Sequence, residues 1–305
     1  MSAWAIPMRV PFRGVSVREG VLLRGDGGWG EFSPFPEYGP ETTRHWLAAA
    51  REAAYGDWPA PVRARVPVNV TVPALGPDDA FALVAGSGCT TAKVKVAEGD
   101  DVARVAAVRA ALGPRGKLRV DANGAWDVET AARAIDALAE HDLEYVEQPV
   151  RTLEEMARLR RLVDVPLAAD ESVRTAADPL RVAGLEAADV VVLKAQPLGG
   201  VRRALDVARA AGLPAVVSSA LETSVGVAAG VALAAALPEL PYACGLGTVA
   251  LLDGDVVRDP LVPVDGALDV RRPAPDAALL DRHALDDDGV ARWRARVDAA
   301  ARGAP

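Results

Sequence analysis

From about residue 66 to residue 248 the chain repeats one unit, a short β-branched run followed by an amphipathic helical stretch. A strand that always meets a helix before the next strand builds a parallel sheet, because parallel neighbours need a long crossover. Eight runs are expected as strands: Val66 to Val72, Thr91 to Val96, Lys117 to Asp121, Tyr145 to Glu147, Pro166 to Ala169, Val190 to Lys194, Ala215 to Ser218 and Tyr242 to Gly245. Helix signals fill the gaps. Asp100-Asp101 and Asp127 stand where N-caps belong, Thr152 with Glu155 reads as a capping box, and Gly199-Gly200 precedes an apolar-periodic stretch from Val201 to Ala211. Eight parallel strands alternating with helices close into a barrel or spread as a doubly wound open sheet, and the barrel is the expected form.

The flanks read differently. Ile6 to Phe12, Val15 to Arg24 and Gly28 to Phe32 are antiparallel strand candidates around a Gly-Asp-Gly-Gly turn, and Glu41 to Tyr55 is helical. The expected organisation is an α+β cap over residues 1–62, a barrel over 63–248, and a segment over 249–305 that packs back on the cap with a last helix from Ala291 to Arg302. The aromatics Trp29, Phe32, Phe35 and Tyr38 are expected to pack between cap and barrel.

An acidic balance, 42 Asp and Glu against 34 Lys and Arg, disfavours nonspecific nucleic-acid binding. Two cysteines without metal-ligand spacing suit a reducing compartment. With no basic leader and no apolar run of bilayer length, a cytoplasmic chain without membrane insertion is expected; its oligomeric state is open.

Only four of the basic residues are lysine, and three of them, Lys93, Lys95 and Lys194, fall where expected strands run out. A guanidinium serves wherever a fixed cation is enough, whereas an amine can be desolvated to a titratable base. Between them, three expected strands end in an acid: Asp121 in Val-Asp-Ala-Asn, Glu147 in Val-Glu-Gln-Pro and Asp170 in Ala-Asp-Glu-Ser. Strand ends one βα unit apart converge at one mouth of a barrel. Three oxygen donors there suit a hard divalent ion, Mg²⁺ with Mn²⁺ able to substitute; acids at βα junctions also serve as helix N-caps. Lys93 and Lys95, two apart, point to one face of their strand. Acid–base groups on both sides of a metal-held carboxylate point to abstraction of an α-proton.

Lys-Val-Lys, Asp-Ala-Asn, Glu-Gln-Pro, Ala-Asp-Glu-Ser and the later lysine, in this order, resemble the muconate-lactonizing subgroup of the enolase superfamily. The resemblance implies an enolase-like (β/α)7β barrel under an α+β capping domain, with Asp121, Glu147 and Asp170 binding Mg²⁺. It implies that Lys95 removes the proton α to a ring carboxylate and then helps the hydroxyl leave from the same face. Lys93 would orient the carboxylate, and Lys194 would stabilise the enediolate. Asn123 and Glu171 would lie behind these groups. The stretches Leu193 to Gly200 and Val217 to Gly226 further imply syn elimination of water from 2-succinyl-6-hydroxy-2,4-cyclohexadiene-1-carboxylate, within menaquinone biosynthesis. Ser218 and Ser219 would face the succinyl end of this small-molecule carboxylate, or simply end a strand and cap the next helix. Two readings compete: an N-acylamino acid racemase or dipeptide epimerase of the same subgroup, and a noncatalytic metal-binding barrel scaffold.

Overall fold

A computed structural model describes residues 1–12, 14–175 and 180–303. The chain opens with β1 (Ser2–Phe12), β2 (Val15–Gly25) and β3 (Gly28–Phe32), an antiparallel sheet, and then α1 (Pro40–Tyr55) packs across it. Contact between β3 and α1 is direct: a Cβ on Gly30 would sit 1.8 Å from the Ala50 carbonyl oxygen, so only glycine fits there.

The parallel sheet then begins. After β4 (Arg65–Pro67) and β5 (Val70–Val72) come α2 (Pro77–Ala85), β6 (Thr91–Lys95), α3 (Asp101–Leu112), β7 (Lys117–Asp121), α4 (Val128–Ala139), β8 (Leu143–Glu147), α5 (Leu153–Arg160) and β9 (Leu167–Ala169). Two short helices, α6 (Glu171–Thr175) and α7 (Leu180–Gly184), lead to β10 (Val190–Leu193), followed by α8 (Ala195–Leu198), α9 (Val201–Ala211), β11 (Ala215–Val217) and α10 (Ser224–Ala236). Strands β5 to β11 pair in chain order, all parallel. The expected caps form: Asp100 accepts from the Ala103 amide, Asp127 from the Thr130 amide, and Thr152 with Glu155 makes a reciprocal box.

Two expected strands are corrected. Val66 to Val72 is not one strand: β4 turns away to pair antiparallel with β12 (Ala267–Asp269), and only β5 joins the parallel sheet. Pro67, without an amide proton, suits an edge rather than a central strand. Tyr242 to Gly245 is likewise not a full strand. Cys244 bridges to Val68 and Gly245 to Ser218, both in parallel sense, so two residues join the sheet's two margins.

The return segment comprises β12, α11 (Ala277–Arg282) and α12 (Asp287–Arg302). It completes the cap: the Ala5 amide donates to the His283 carbonyl, and Trp293 of α12 meets Phe32 edge to face at 6.0 Å. Cap and barrel are stitched by Glu52 of α1, whose carboxylate accepts from the Val201 and Arg202 amides at the start of α9. Among the described residues no helix is long and apolar enough to cross a membrane.

Candidate active site

Strand register assembles the site. Lys93 lies beside Arg119 and Arg119 beside Tyr145, forming one layer of inward side chains. Two residues on, Lys95 lies beside Asp121 and Asp121 beside Glu147, forming the layer above, because alternate residues share a face. The lower layer is packed: the Arg119 guanidinium sits 4.7 Å from the Tyr145 ring centre and donates to Glu144 and the Ala243 carbonyl. Ala168, Val190, Val192 and Val216 fill the interior around Tyr145. The upper layer is ionic. Asp170 and Lys194 enter it one residue past β9 and β10.

All three acids are buried, and each is engaged by a lysine. Lys93 Nζ donates to both oxygens of Glu147, at 2.7 and 2.9 Å, and lies 3.2 Å from Asp121 Oδ2. Lys95 Nζ donates to Asp121 Oδ2 and Asn123 Oδ1, and Lys194 Nζ to Asp170 Oδ2 at 2.6 Å. Asn123, held at a φ of 47°, passes the chain on by donating to Glu171 Oε1 at 3.2 Å. The strand that carries Lys93 and Lys95 lies inside the sheet, between β5 and β7.

Burial lowers the Lys93 amine, but Glu147 and Asp121 outweigh it and hold Lys93 above the ordinary lysine range. For Lys95 the balance is reversed: burial, assisted by the neighbouring charge of Lys93, outweighs Asp121 and brings the amine down. Burial pushes Asp121 up, and Lys95 and Lys93 more than reverse it, leaving this acid well below the usual carboxylate range. Burial, with Asp121 and Asp170 as like-charged neighbours, pushes Glu147 up to about 7.

One cavity above this layer brings together Lys93, Lys95, Lys194, Asp121, Asn123, Ser218 and Ser219. Glu147, Asp170 and Glu171 do not line it, and each is bonded to a residue that does: Lys93, Lys194 and Asn123. Ser219 Oγ is 2.7 Å from Thr248 Oγ1, and Ser218 Oγ is 3.4 Å from the Gly245 carbonyl oxygen. Sequence reasoning left out several contributors. Thr71, Thr248 and the turn residues Ala220 and Leu221 line the same cavity, as do Phe12 and Phe35 of the cap. The Phe12 ring centre lies 5.1 Å from Lys95 Nζ, and Phe35, read as packing only, reaches the cavity wall. Gln148, next to Glu147, supports the site from behind. Its side chain accepts from the Asp170 and Ser172 amides at 3.0 and 3.1 Å and donates to Ser172 Oγ and the Val150 carbonyl, fixing the backbone that carries Asp170.

Among the described residues no three Asp, Glu, His or Cys side chains are gathered closely enough to hold a metal ion; lysine amines engage the acids instead. The donor chemistry nonetheless fits a divalent cation. Three hard oxygen donors end adjacent strands, and their mutual repulsion, which adds to burial in raising Glu147, is what such a cation relieves.

A family model described as enolase C-terminal domain-like matches residues 78–276, and one described as enolase N-terminal domain-like matches residues 3–54. The chain belongs to the enolase superfamily. Members of the superfamily use a divalent metal. Within it, the chain is 64% identical to an o-succinylbenzoate synthase of Thermobifida fusca over 303 residues, 98% of this chain and 95% of the relative. It is 53% identical to an o-succinylbenzoate synthase of Mycolicibacterium smegmatis, covering 96% and 92%. Its fold matches that of a muconate lactonizing enzyme from Pseudomonas fluorescens complexed with muconolactone, with a TM-score of 0.76 and 23% identity over 96% of this chain and 97% of that one.

Proposed function

We infer that this chain is an o-succinylbenzoate synthase, a hydro-lyase that removes water from 2-succinyl-6-hydroxy-2,4-cyclohexadiene-1-carboxylate and leaves the aromatic ring of o-succinylbenzoate. The observation that carries this reading is the convergence of Lys95 and Lys194 on one cavity beside three buried acids. Relatives at up to 64% identity over nearly the whole chain favour the synthase over the racemase and scaffold readings.

Asp121, Glu147 and Asp170 would hold Mg²⁺, with Asn123 and Glu171 behind them. When bound, the ion supplies positive charge where the substrate carboxylate takes up negative charge. Lys95, the amine that burial brings down, removes the proton α to the ring carboxylate, and the electron pair passes into the carboxylate as an enediolate. Protonated, Lys95 then donates to the departing hydroxyl on the same face; the C–O bond breaks, water leaves and the ring becomes aromatic. Lys93 fixes Glu147 and adds the positive neighbour that disfavours a charged Lys95 at rest. Lys194 supplies positive charge opposite Lys95. Ser218 and Ser219 face the succinyl end. The division into a cap of residues 1–62, a barrel of 63–248 and a return segment of 249–305, and placement in the cytoplasm, belong to the same proposal.

Incubation with the cyclohexadiene substrate and Mg²⁺ tests it: an aromatic product should form, and its absence alongside exchange of the α-proton of N-succinylamino acids in deuterated water would favour the racemase instead. Chelation should abolish turnover and Mg²⁺ should restore it. In the wild type Mg²⁺ should also raise the melting temperature, and Asp121→Asn should lose most of that rise while remaining folded.

A further inference from the structure

Arg18, on β2 of the cap, is 2% exposed, and the acids that act on it, Glu222, Glu31 and Glu37, form no ion pair with it among the described residues. Its donors go to backbone carbonyls instead: Nε to Leu221 at 3.0 Å, and Nη2 to Ser33 at 2.6 Å and Ala220 at 3.3 Å. Its guanidinium lies over the Phe35 ring, 4.3 Å from the centre. Ala220, Leu221 and Phe35 all line the cavity that holds the lysines. Leu221 stands at a φ of 61°, a conformation a branched side chain rarely adopts unless its surroundings fix it.

A buried guanidinium without a bonded partner anion is expensive, and an apolar residue of similar size would fill the same space at lower cost. The expense is placed on the turn after β11, at the wall assigned above to the succinyl end. We propose that Arg18 is a positioning residue for substrate specificity: it draws the Ala220 and Leu221 carbonyl oxygens toward the cap, so that their negative dipole ends do not face the anionic arm of the substrate. Phe35 is held against the cavity by the same guanidinium. The inference rests on the proposed synthase reading, which brings the remote carboxylate of the succinyl arm to this wall.

Two substitutions test it. Arg18→Lys keeps the charge on a single donor nitrogen, and Arg18→Gln keeps an amide donor without burying a charge. Turnover by the wild-type protein is measured first, so failure of the synthase reading shows separately. In the variants KM should rise about tenfold or more, the order expected on losing charge-assisted hydrogen bonds, while kcat stays within about threefold. The product o-succinylbenzoate and its monomethyl ester at the succinyl end are then compared by calorimetry. The wild type should prefer the dianion, and both variants should lose about tenfold of that preference. Unchanged preference, an equal weakening of both ligands, a fall in kcat at constant KM, or failure of both variants to fold would each overturn the role.

Discussion

Lys95 and Lys93 share a strand, a face and a set of acidic neighbours, yet their amines move in opposite directions. The difference is geometric. Lys93 holds both oxygens of Glu147 and lies against Asp121 as well, so two negative charges offset its burial; Lys95 has one carboxylate and one neutral amide. A base must be able to stand uncharged, and only the second environment allows it. Lys95→Arg keeps the cation but removes that ability, so turnover should fall by at least about 10²-fold with the far-ultraviolet circular dichroism unchanged. Near-normal turnover would remove Lys95 from the mechanism. The residue types themselves were readable: in a chain this rich in arginine, lysines at strand ends stand out, and so do acids at the following strand ends. Phe35 was legible as packing between cap and barrel, but its place on the cavity wall, like those of Phe12 and Arg18, was not, because no local stretch shows which cap residues meet the barrel mouth.

At the scale of elements, the strands from β6 to β11 follow the sequence pattern closely, because each overlaps one β-branched run set between helical stretches. The pattern failed where one apolar run served two sheets. Val66 to Val72 alternates valine with other residues without a break, and the partition into β4 and β5 depends on β12, about 200 residues later. At the other margin, β-branched and aromatic residues suggested a full strand where only Cys244 and Gly245 bridge. Helix α9 shows the same dependence on distant partners. Its N-terminus has no side-chain cap of its own, Gly200 is held at a φ of 122°, and Glu52 of the cap takes the two exposed amides. Glu52→Ala should therefore cost about 1 kcal/mol in urea unfolding although it lies outside the barrel sequence. A loss below a few tenths would show that water caps α9 equally well.

At the scale of the whole molecule, a second acid, this one buried, ties cap to barrel. Glu31 on β3 accepts from Ser33 Oγ at 2.7 Å, from the Thr223 and Gly226 amides at 3.3 and 3.1 Å, and from Thr223 Oγ1, at the start of α10. Burial pushes its carboxyl up to about 8, against the opposing hydrogen bonds from Thr223 and Ser33. The unfolded carboxyl releases its proton near 4.5, so between about 4.5 and 8 the native state holds a proton that the unfolded state has lost. Stability from this group is therefore complete below 4.5 and declines as pH rises through 8. Glu31→Gln should flatten that decline, measured as the difference in denaturation midpoint between the two proteins across pH 4 to 9. A parallel decline in both would assign the pH dependence elsewhere. The cap itself has one further property. Its sheet comes from the first residues of the chain and its last helix, with Trp293 against Phe32, from the final ones. A nascent chain leaving the ribosome can therefore wind every barrel strand while its roof is still missing a beam, because α12 is made after all of them.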